Sequence, residues 1–249
     1  MIAIREDWEI ERIKAAGKVI ADLWKALAPM VKPGTATSEL DRLAYDFIND
    51  HQALPAFKGY RGYPATLCIS INHEVVHGIP RSERILREGD LVSIDVGTSK
   101  QGYIADAARS YYLGSAPSPE ILKLLAATKQ ALELGIQSAR AGSKVSDISR
   151  AIQQAAESTG FSTVRDLCGH GVGQKLHEEP EIPNYVKSGS SPVLAPGMVL
   201  AIEPMINAGG HQVKFLSDGW TVVTADASLS AHFEDTVVVT AGEPLIVTR

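Results

Sequence analysis

Residues 91–106 read LVSIDVGTSKQGYIAD, and this stretch decides the fold. Its apolar segments flank a polar segment, 97–102, that begins and ends with glycine, so the pattern predicts a β-hairpin. Asp95 and Asp106, 11 positions apart, lie on the two sides of the predicted turn. Paired antiparallel strands bring such positions together, so both carboxylates are expected within reach of one pair of ions. A single aspartate at a strand end more often caps a turn, and only the pairing favours metal binding.

Three further side chains with metal-ligand chemistry lie beside apolar or glycine-rich segments. His170 lies between two glycines, Glu203 follows an apolar run, and Glu234 precedes one. Buried carboxylates are costly unless a cation or hydrogen bonds compensate their charge, so this placement points to metal. Four carboxylates balance two divalent cations, and two neighbouring metals lower the pKa of a shared water, which predicts hydrolytic chemistry.

Ordinary alternatives stay open for each of these three residues. His170 would equally suit a loop in which its ring bonds a carbonyl. Glu203, at the end of a strand, could face solvent. Glu234 and His232 would form an unremarkable exposed pair if their strand lay at the edge of a sheet.

The composition indicates a globular protein with a sizeable core. Of its 249 residues, 45% are hydrophobic and 21% charged, and the formal net charge is −5. No Lys/Arg run predicts nucleic-acid binding. There is neither a secretory signal nor an uninterrupted apolar run of about 18 residues, so a cytoplasmic location is expected. Cys68 and Cys168 form no C-x-x-C pair, which excludes a disulfide framework and a zinc finger.

The spacing of apolar residues predicts four helices with strands between and after them. The second of these helices is expected to begin at a Thr37 or Ser38 cap. The predicted helices span residues 8–30, 37–50, 119–139 and 146–159.

An internal repeat accompanies this order of helices and strands. Residues 34–42, GTATSELDR, match residues 142–150, GSKVSDISR, at an offset of 108. A shared helix-start signal would produce the same match, and that alternative stays open. Two similar α+β halves around one site, roughly 1–115 and 116–249, would explain why candidate ligands come from both ends of the chain.

Ten short motifs, in order along nearly the whole chain, resemble the signature of the type I methionine aminopeptidases. The resemblance implies the pita-bread fold, an α+β architecture with a pseudo-twofold antiparallel sheet flanked by helices, in one catalytic metallopeptidase domain over residues 1–249. No long insertion separates His177 from Glu203, which favours type I over type II. The motifs are Gly62-Tyr63-Pro64, Cys68-Ile69-Ser70-Ile71-Asn72, Val75-Val76-His77-Gly78-Ile79-Pro80, Asp95-Val96-Gly97, Gly169-His170-Gly171-Val172-Gly173, His177-Glu178-Glu179-Pro180, Pro183-Asn184-Tyr185, Ile202-Glu203-Pro204-Met205, Asp218-Gly219-Trp220-Thr221 and Phe233-Glu234.

The resemblance assigns a role to each candidate ligand. Asp106 and Glu234 would bridge two divalent cations, drawn from Co, Mn, Fe, Zn or Ni. Asp95 would bind one ion, and His170 together with Glu203 would bind the other. A hydroxide bridging the two cations would attack the carbonyl that follows the initiator methionine.

The resemblance also implies catalytic and substrate-binding residues. Glu203 would shuttle protons. His77 and His177 would hold the scissile amide and stabilise its oxyanion, although a histidine in isolation is more often structural. An apolar pocket for the methionine side chain would consist of Phe57, Tyr60, Tyr63, Cys68, Leu176 and Trp220, and its aromatic and sulfur-containing walls suit a thioether.

Three positions depart from the family pattern. Leu176 stands where a larger aromatic residue is common, which would widen the pocket. His232 stands where glutamine is frequent, and Asp235 where histidine is common. The last two would act on the groups around the ligands, and therefore on metal preference or pH optimum.

The expected enzyme is a methionyl aminopeptidase that removes the initiator methionine from nascent proteins when the second residue is small. The expected state is a monomer without membrane or direct nucleic-acid binding, and docking on the ribosome is left open. Three other classes compete: a proline-specific relative (prolidase or aminopeptidase P), a non-catalytic binding module of the same fold, and a cysteine hydrolase built on Cys168 and His170.

Overall fold

A computed structural model describes residues 2–249 of the chain. Within these residues lie four α-helices: α1 Asp7–Leu27, α2 Thr37–Asp50, α3 Pro119–Ser138 and α4 Val145–Glu157. The strands of the first part of the chain are β1 Leu54–Pro55, β2 Leu67–Ile71, β3 Glu74–Val76, β4 Leu91–Lys100 and β5 Tyr103–Tyr112. Those of the second part are β6 Ser162–Thr163, β7 Cys168–Gly171, β8 Glu178–Pro183, β9 Val199–Ile202, β10 Met205–Asn207, β11 Val213–Phe215, β12 Val222–Thr224, β13 Ser230–His232, β14 Asp235–Val238 and β15 Leu245–Ile246.

The four predicted helices form, with ends that differ by a few residues. α1 ends at Leu27, and a short 3₁₀ turn over Ala28–Met30 follows because Pro29 cannot continue the α-helical hydrogen bonds. No helix within the described residues is both long and apolar enough to cross a bilayer.

The predicted start of α2 is wrong by one or two residues. Its cap is Ala36, whose backbone N–H donates to the Glu39 carboxylate at 2.9 Å. A carboxylate three residues into the helix therefore replaces a hydroxyl cap. The Thr37 hydroxyl donates instead to the Arg81 carbonyl at 3.0 Å and accepts the Arg81 N–H at 2.9 Å.

The predicted hairpin is the central pair of the first sheet. β4 and β5 pair over ten positions and turn at Gln101 and Gly102, both with positive φ. β2 and β1 pair with the other edge of β4, and α1 packs against both β4 and β5. The apolar core beneath this sheet includes Ile20, Leu40 and Ile94, each fully buried.

A second sheet, of five strands in the order β15-β14-β9-β7-β8, carries the remaining candidate ligands. α3 and α4 pack on it around a core that includes Ile148 and Leu200. The two sheets meet where the N–H of Glu234 donates to the carbonyl of Ala108 at 3.0 Å. This junction places the second sheet's ligands beside those of the β4–β5 hairpin.

Candidate metal centre

The hairpin places its two carboxylates on one face of the first sheet. Gly97 in β4 lies opposite Asp106 in β5, and Asp95 lies two positions before Gly97. Alternate residues of a strand point to the same face, so Asp95 and Asp106 are diagonal neighbours across the pair. The observed register of the β4–β5 pair therefore agrees with the expectation of two neighbouring carboxylates.

The second sheet contributes a histidine and two glutamates. His170 lies in β7, Glu203 directly follows β9, and Glu234 directly precedes β14. One ligand atom each of Asp106, His170 and Glu234 lies within 4.8 Å of the other two. His170 Nε2 lies 3.4 Å from Glu203 Oε1, which adds a fourth side chain to the cluster.

All thirteen side chains predicted for the site line one cavity of about 180 Å³. The lining contains one more residue, Arg61, which the sequence reasoning missed. The lining residues are Phe57, Tyr60, Arg61, Tyr63, Cys68, His77, Asp95, Asp106, His170, Leu176, His177, Glu203, Trp220 and Glu234.

The acid side chains of the cavity fit a cation site. Asp95 Oδ1, Asp106 Oδ1 and Glu234 Oε1 are buried oxygens without a hydrogen-bond donor among the described residues. Such oxygens are costly to bury unless a proton or a cation satisfies them. Carboxylate oxygens with one imidazole form a donor set that suits first-row divalent metals.

The pKa values of these acids reflect the same cost of burying negative charge. Burial raises the pKa of Asp95 to about 7. Burial, and secondarily the charge of Asp95, raises the pKa of Asp106 and of Glu203 well above the ordinary range. The pKa of Glu234 rises for the same first reason, with Asp106 as the strongest neighbouring charge. A bound cation opposes both causes, because it offsets the desolvation cost and the mutual repulsion.

The ring of His170 is neutral and has one nitrogen free to bind a metal. Burial lowers its pKa to about 3, so the ring is uncharged near neutral pH. Its Nδ1 lies 2.9 Å from the Gly171 carbonyl, which accepts only if Nδ1 carries the proton. The lone pair is then on Nε2, the atom that faces Glu203 and the cavity.

The two other predicted histidines, His77 and His177, line the same cavity. His177 Nδ1 lies 2.9 Å from the hydroxyl of Tyr60, and the ring centroids of His177 and His170 are 4.3 Å apart. His77 has a positive φ of 61° and contacts Trp220 edge to face. Burial lowers the pKa of His77 to about 4 and also lowers that of His177. Both rings are therefore neutral hydrogen-bonding groups at neutral pH.

The six predicted pocket residues form one apolar cluster in the wall of the cavity. Phe57, Tyr63, Cys68 and Leu176 are buried, and the half-buried Tyr60 and Trp220 pack against them. The Tyr63 hydroxyl is satisfied outside the pocket, because it donates to the carbonyls of Leu67 and Gly78. The pocket wall therefore presents aromatic carbon and sulfur and no unpaired polar group of Tyr63.

His232 and Glu234 do not form an exposed pair. Each is 2% exposed, and the strand after Glu234 lies between β15 and β9 rather than at an edge. His232 Nε2 is buried without a hydrogen-bond partner among the described residues, 3.8 Å from Glu203 Oε2. Burial lowers the pKa of His232 to about 3, so a neutral ring faces Oε2 of Glu203.

A cysteine hydrolase is disfavoured by the environment of Cys168. Burial raises the pKa of its thiol to about 11, and the neighbouring Glu181 and Glu203 act in the same direction. A nucleophilic cysteine requires a lowered pKa and a cationic neighbour. Cys168 has neither.

The class of the protein follows from comparison with known proteins. Residues 11–241 match the model of metallopeptidase family M24. The chain belongs to this family, and it is a hydrolase. Family M24 implies the use of divalent metal, in agreement with the donor set described above.

Within that family, the chain is similar to methionine aminopeptidases. It is 48% identical to that of Clostridium acetobutylicum over 100% of this chain and 99% of the relative, and 47% identical to methionine aminopeptidase 1 of Bacillus subtilis over 100% of both. The methionine aminopeptidase of Thermotoga maritima superposes with a TM-score of 0.97 at 42% identity, covering 100% of both chains.

The fold extends to proline-specific enzymes. The prolidase of Pyrococcus furiosus has a TM-score of 0.79 at 22% identity, covering 99% of this chain and 65% of the prolidase chain. The expected pita-bread fold is confirmed, as is the expected resemblance to methionine aminopeptidases.

Proposed function

We propose that this enzyme removes the N-terminal methionine from peptides and nascent proteins whose second residue is small. One observation carries the proposal: acids with buried, unsatisfied oxygens adjoin an apolar cluster inside a single cavity. This combination suits a metal-dependent exopeptidase that accepts one apolar side chain.

Five side chains would hold the metal ions. We assign Asp106 and Glu234 as ligands shared by two divalent cations, Asp95 as a ligand of one, and His170 with Glu203 as ligands of the other. The unsatisfied oxygens of Asp95, Asp106 and Glu234 support this assignment. When bound, the cations supply a water of lowered pKa as the nucleophile at neutral pH.

Glu203 would move protons during hydrolysis. It is half-buried between His170 and His232, with its two oxygens 3.4 and 3.8 Å from their Nε2 atoms. Burial raises the pKa of Glu203, so its carboxylate would be a stronger base that accepts a proton from the attacking water and passes it to the leaving amine.

His177 and His77 would act on the scissile amide. If the Tyr60 hydroxyl donates to Nδ1 of His177, the ring proton lies on Nε2 and is free for the substrate. A neutral imidazole then donates to the carbonyl oxygen as it gains negative charge. His77 is also neutral, and the nearby His177 lowers the pKa of His77 further. His77 would bind the same amide.

The apolar cluster would bind the methionine side chain. Its fixed walls discriminate by fit, and one methylene is worth about 1–3 kcal/mol, so norleucine should be accepted weakly. A charged first residue should be rejected, because its burial costs far more. A small second residue would let the peptide backbone approach the metals closely, and His170 and His177 border the space beyond the pocket.

Removal and return of metal tests the proposal. Protein purified without oxygen and stripped with a chelator should not cleave a Met-Ala-Ser peptide, and Mn, Co or Fe should restore cleavage. The same preparations are assayed on an Ala-Pro peptide and on Met-Lys-Ser. Full turnover after verified metal removal would contradict the metal role. Preference for the Ala-Pro peptide would favour the proline-specific class, and equal rates on Met-Ala-Ser and Met-Lys-Ser would contradict the small second residue.

The number and identity of the ions belong to this proposal and are measured by metal analysis of the same protein. The monomeric state, the cytoplasmic location and the absence of nucleic-acid binding remain predictions from the composition.

A further inference from the structure

A groove of about 740 Å³ adjoins the metal cavity. The two share Arg61, His170 and His177, so the groove begins where the cavity ends. If the proposed function holds, the methionine side chain occupies the apolar cluster of the cavity. The peptide after its second residue then leaves through this open side, which we name the exit groove.

Arg61 lies at the boundary between cavity and exit groove. It lies at the tip of a tight turn, 59–63, with a positive φ of 49°. Backbone hydrogen bonds from Gly59 to Tyr63 at 2.8 Å and from Tyr63 to Tyr60 at 2.9 Å close the turn. The guanidinium carbon is 5.4 Å from the Tyr60 ring centroid, so the charge lies over an aromatic wall of the pocket.

The cations of the exit groove differ in whether they already have partners. Arg5 is engaged by Glu9 and Glu178. Arg61 and Lys175 are exposed and form no ion pair among residues 2–249. Their charges are therefore available to a ligand.

The anions of the groove lie on the facing strand, β8. Glu178 is neutralised by Arg5, and Glu181 lies 3.4 Å from Lys187. Glu179 is exposed and unpaired within the described residues, but it does not line the metal cavity. Arg61 lines both spaces, so among the described residues it is the unpaired cation that borders the metal cavity.

We propose that Arg61 is a specificity-determining residue that selects substrates with Asp or Glu at the third position. This inference rests on the proposed function, because it requires the peptide to pass through the exit groove. An exposed ion pair of this kind changes kcat/KM by about 1.5- to 5-fold, and salt screens it.

Three matched peptides test the inference: Met-Ala-Asp-Ala-Ala, Met-Ala-Asn-Ala-Ala and Met-Ala-Lys-Ala-Ala. The Mn-loaded wild-type enzyme should prefer Asp over its neutral isostere Asn by about 1.5- to 5-fold, and Asn over Lys. Arg61→Gln should remove this order, and Arg61→Glu should reverse it. High salt should reduce the wild-type preference. Each rate is divided by that on the Asn peptide, so a general loss of activity does not affect the comparison.

Arg87→Glu is the control. Arg87 is exposed and lines neither the cavity nor the exit groove. Arg87→Glu changes the net charge of the protein by the same amount as Arg61→Glu. This variant should keep the wild-type order. An unchanged order in Arg61→Glu, or equal wild-type rates on all three peptides, would overturn the inference while methionine release from the Asn peptide still supports the proposed function. No methionine release from any peptide would overturn both.

Discussion

At the scale of single residues, the site brings together acids with carboxylate oxygens that receive no hydrogen bond from the described residues. Asp95, Asp106 and Glu234 each bury one oxygen without a donor within residues 2–249. A buried unsatisfied polar group costs about 1–3 kcal/mol, and more when it is charged. Metal binding removes this cost, so metal affinity and folding stability are linked at these positions.

Asp106→Asn should therefore separate metal binding from folding. An amide keeps the shape of the side chain, cannot bear the negative charge, and weakens a shared ligand. We expect loss of bound metal and of activity, with a melting temperature at least equal to that of the metal-free wild type. Metal analysis, circular dichroism and kcat on one preparation measure this, and near-normal metal content with near-normal turnover would contradict the assignment of Asp106.

His177→Ala distinguishes a catalytic donor from a packing residue. If His177 donates to the substrate amide or its oxyanion, kcat should fall by roughly 10²–10³ with metal content unchanged. His51→Ala is the matched control, because His51 is an exposed histidine stacked on Phe47 outside the cavity. Wild-type kcat together with a lowered melting temperature would identify His177 as a structural residue only.

At the scale of elements, side-chain hydrogen bonds hold the start of strand β14 in place next to the candidate ligand Glu234. Asp235, the first residue of β14, is fully buried and accepts hydrogen bonds from Arg109 at 2.6 Å, Thr248 at 2.7 Å and Arg249 at 2.9 Å. Arg109 also donates to the backbone carbonyl of Glu234 at 2.5 Å. Asp235 thus anchors two arginines beside the candidate metal centre.

Asp235→Ala should therefore weaken both the fold and the metal site. Breaking a buried ion pair costs about 3–5 kcal/mol, and loss of a group that orients a ligand lowers metal affinity about 10- to 100-fold. Glu243→Ala, which removes the exposed partner of Arg140, is the control and should cost at most about 1 kcal/mol. Denaturant unfolding and calorimetric metal titration measure both effects, and unchanged metal affinity in Asp235→Ala would leave the network a purely structural role.

At the scale of the whole molecule, backbone contacts repeat at the offset of the sequence repeat. Gly34 donates to the carbonyl of Leu86, and Gly142 to that of Leu194, so both partners are shifted by 108. Isolated bridges join Ala36 with Ile85 and Lys144 with Val193 at the same offset. A shared helix-start signal does not explain the matching partners at 85–86 and 193–194. These contacts support our proposal of two related halves, roughly 1–115 and 116–249.

The acids of the centre also predict how stability depends on pH. An unfolded aspartate has a pKa of about 4, and the folded value of Asp95 is about 7. Between these values the folded protein retains a proton on Asp95 that the unfolded chain has lost, so the contribution of Asp95 to the stability of the metal-free protein falls as pH rises through this window. The histidines of the site, whose pKa values are lowered, contribute in the opposite direction but are present in both proteins. The melting temperature of the metal-free wild type should therefore fall relative to that of metal-free Asp95→Asn as pH rises from about 4 to about 7. An equal slope in both proteins would contradict the prediction.

Much of the site was predictable from local sequence because its ligands lie beside strong strand and turn signals. The glycine-flanked turn at 97–102 and the apolar runs around it predict the pairing of Asp95 with Asp106. The apolar runs that adjoin Glu203 and Glu234 indicate burial, and burial of acids indicates metal. Arg61 was missed because an exposed arginine in a glycine-rich turn has no local pattern that separates it from an ordinary surface residue.

The sequence by itself determined the helices, the central hairpin, the type of chemistry and, through its motifs, the family. These depend on periodicity, turn residues and residue types, which are local properties of the chain. Only the tertiary structure decided that His232 is buried against Glu203, that Asp235 binds two arginines, and that Arg61 lies between cavity and groove. Such relations depend on contacts between segments far apart in the chain, and no local pattern records which segments will meet.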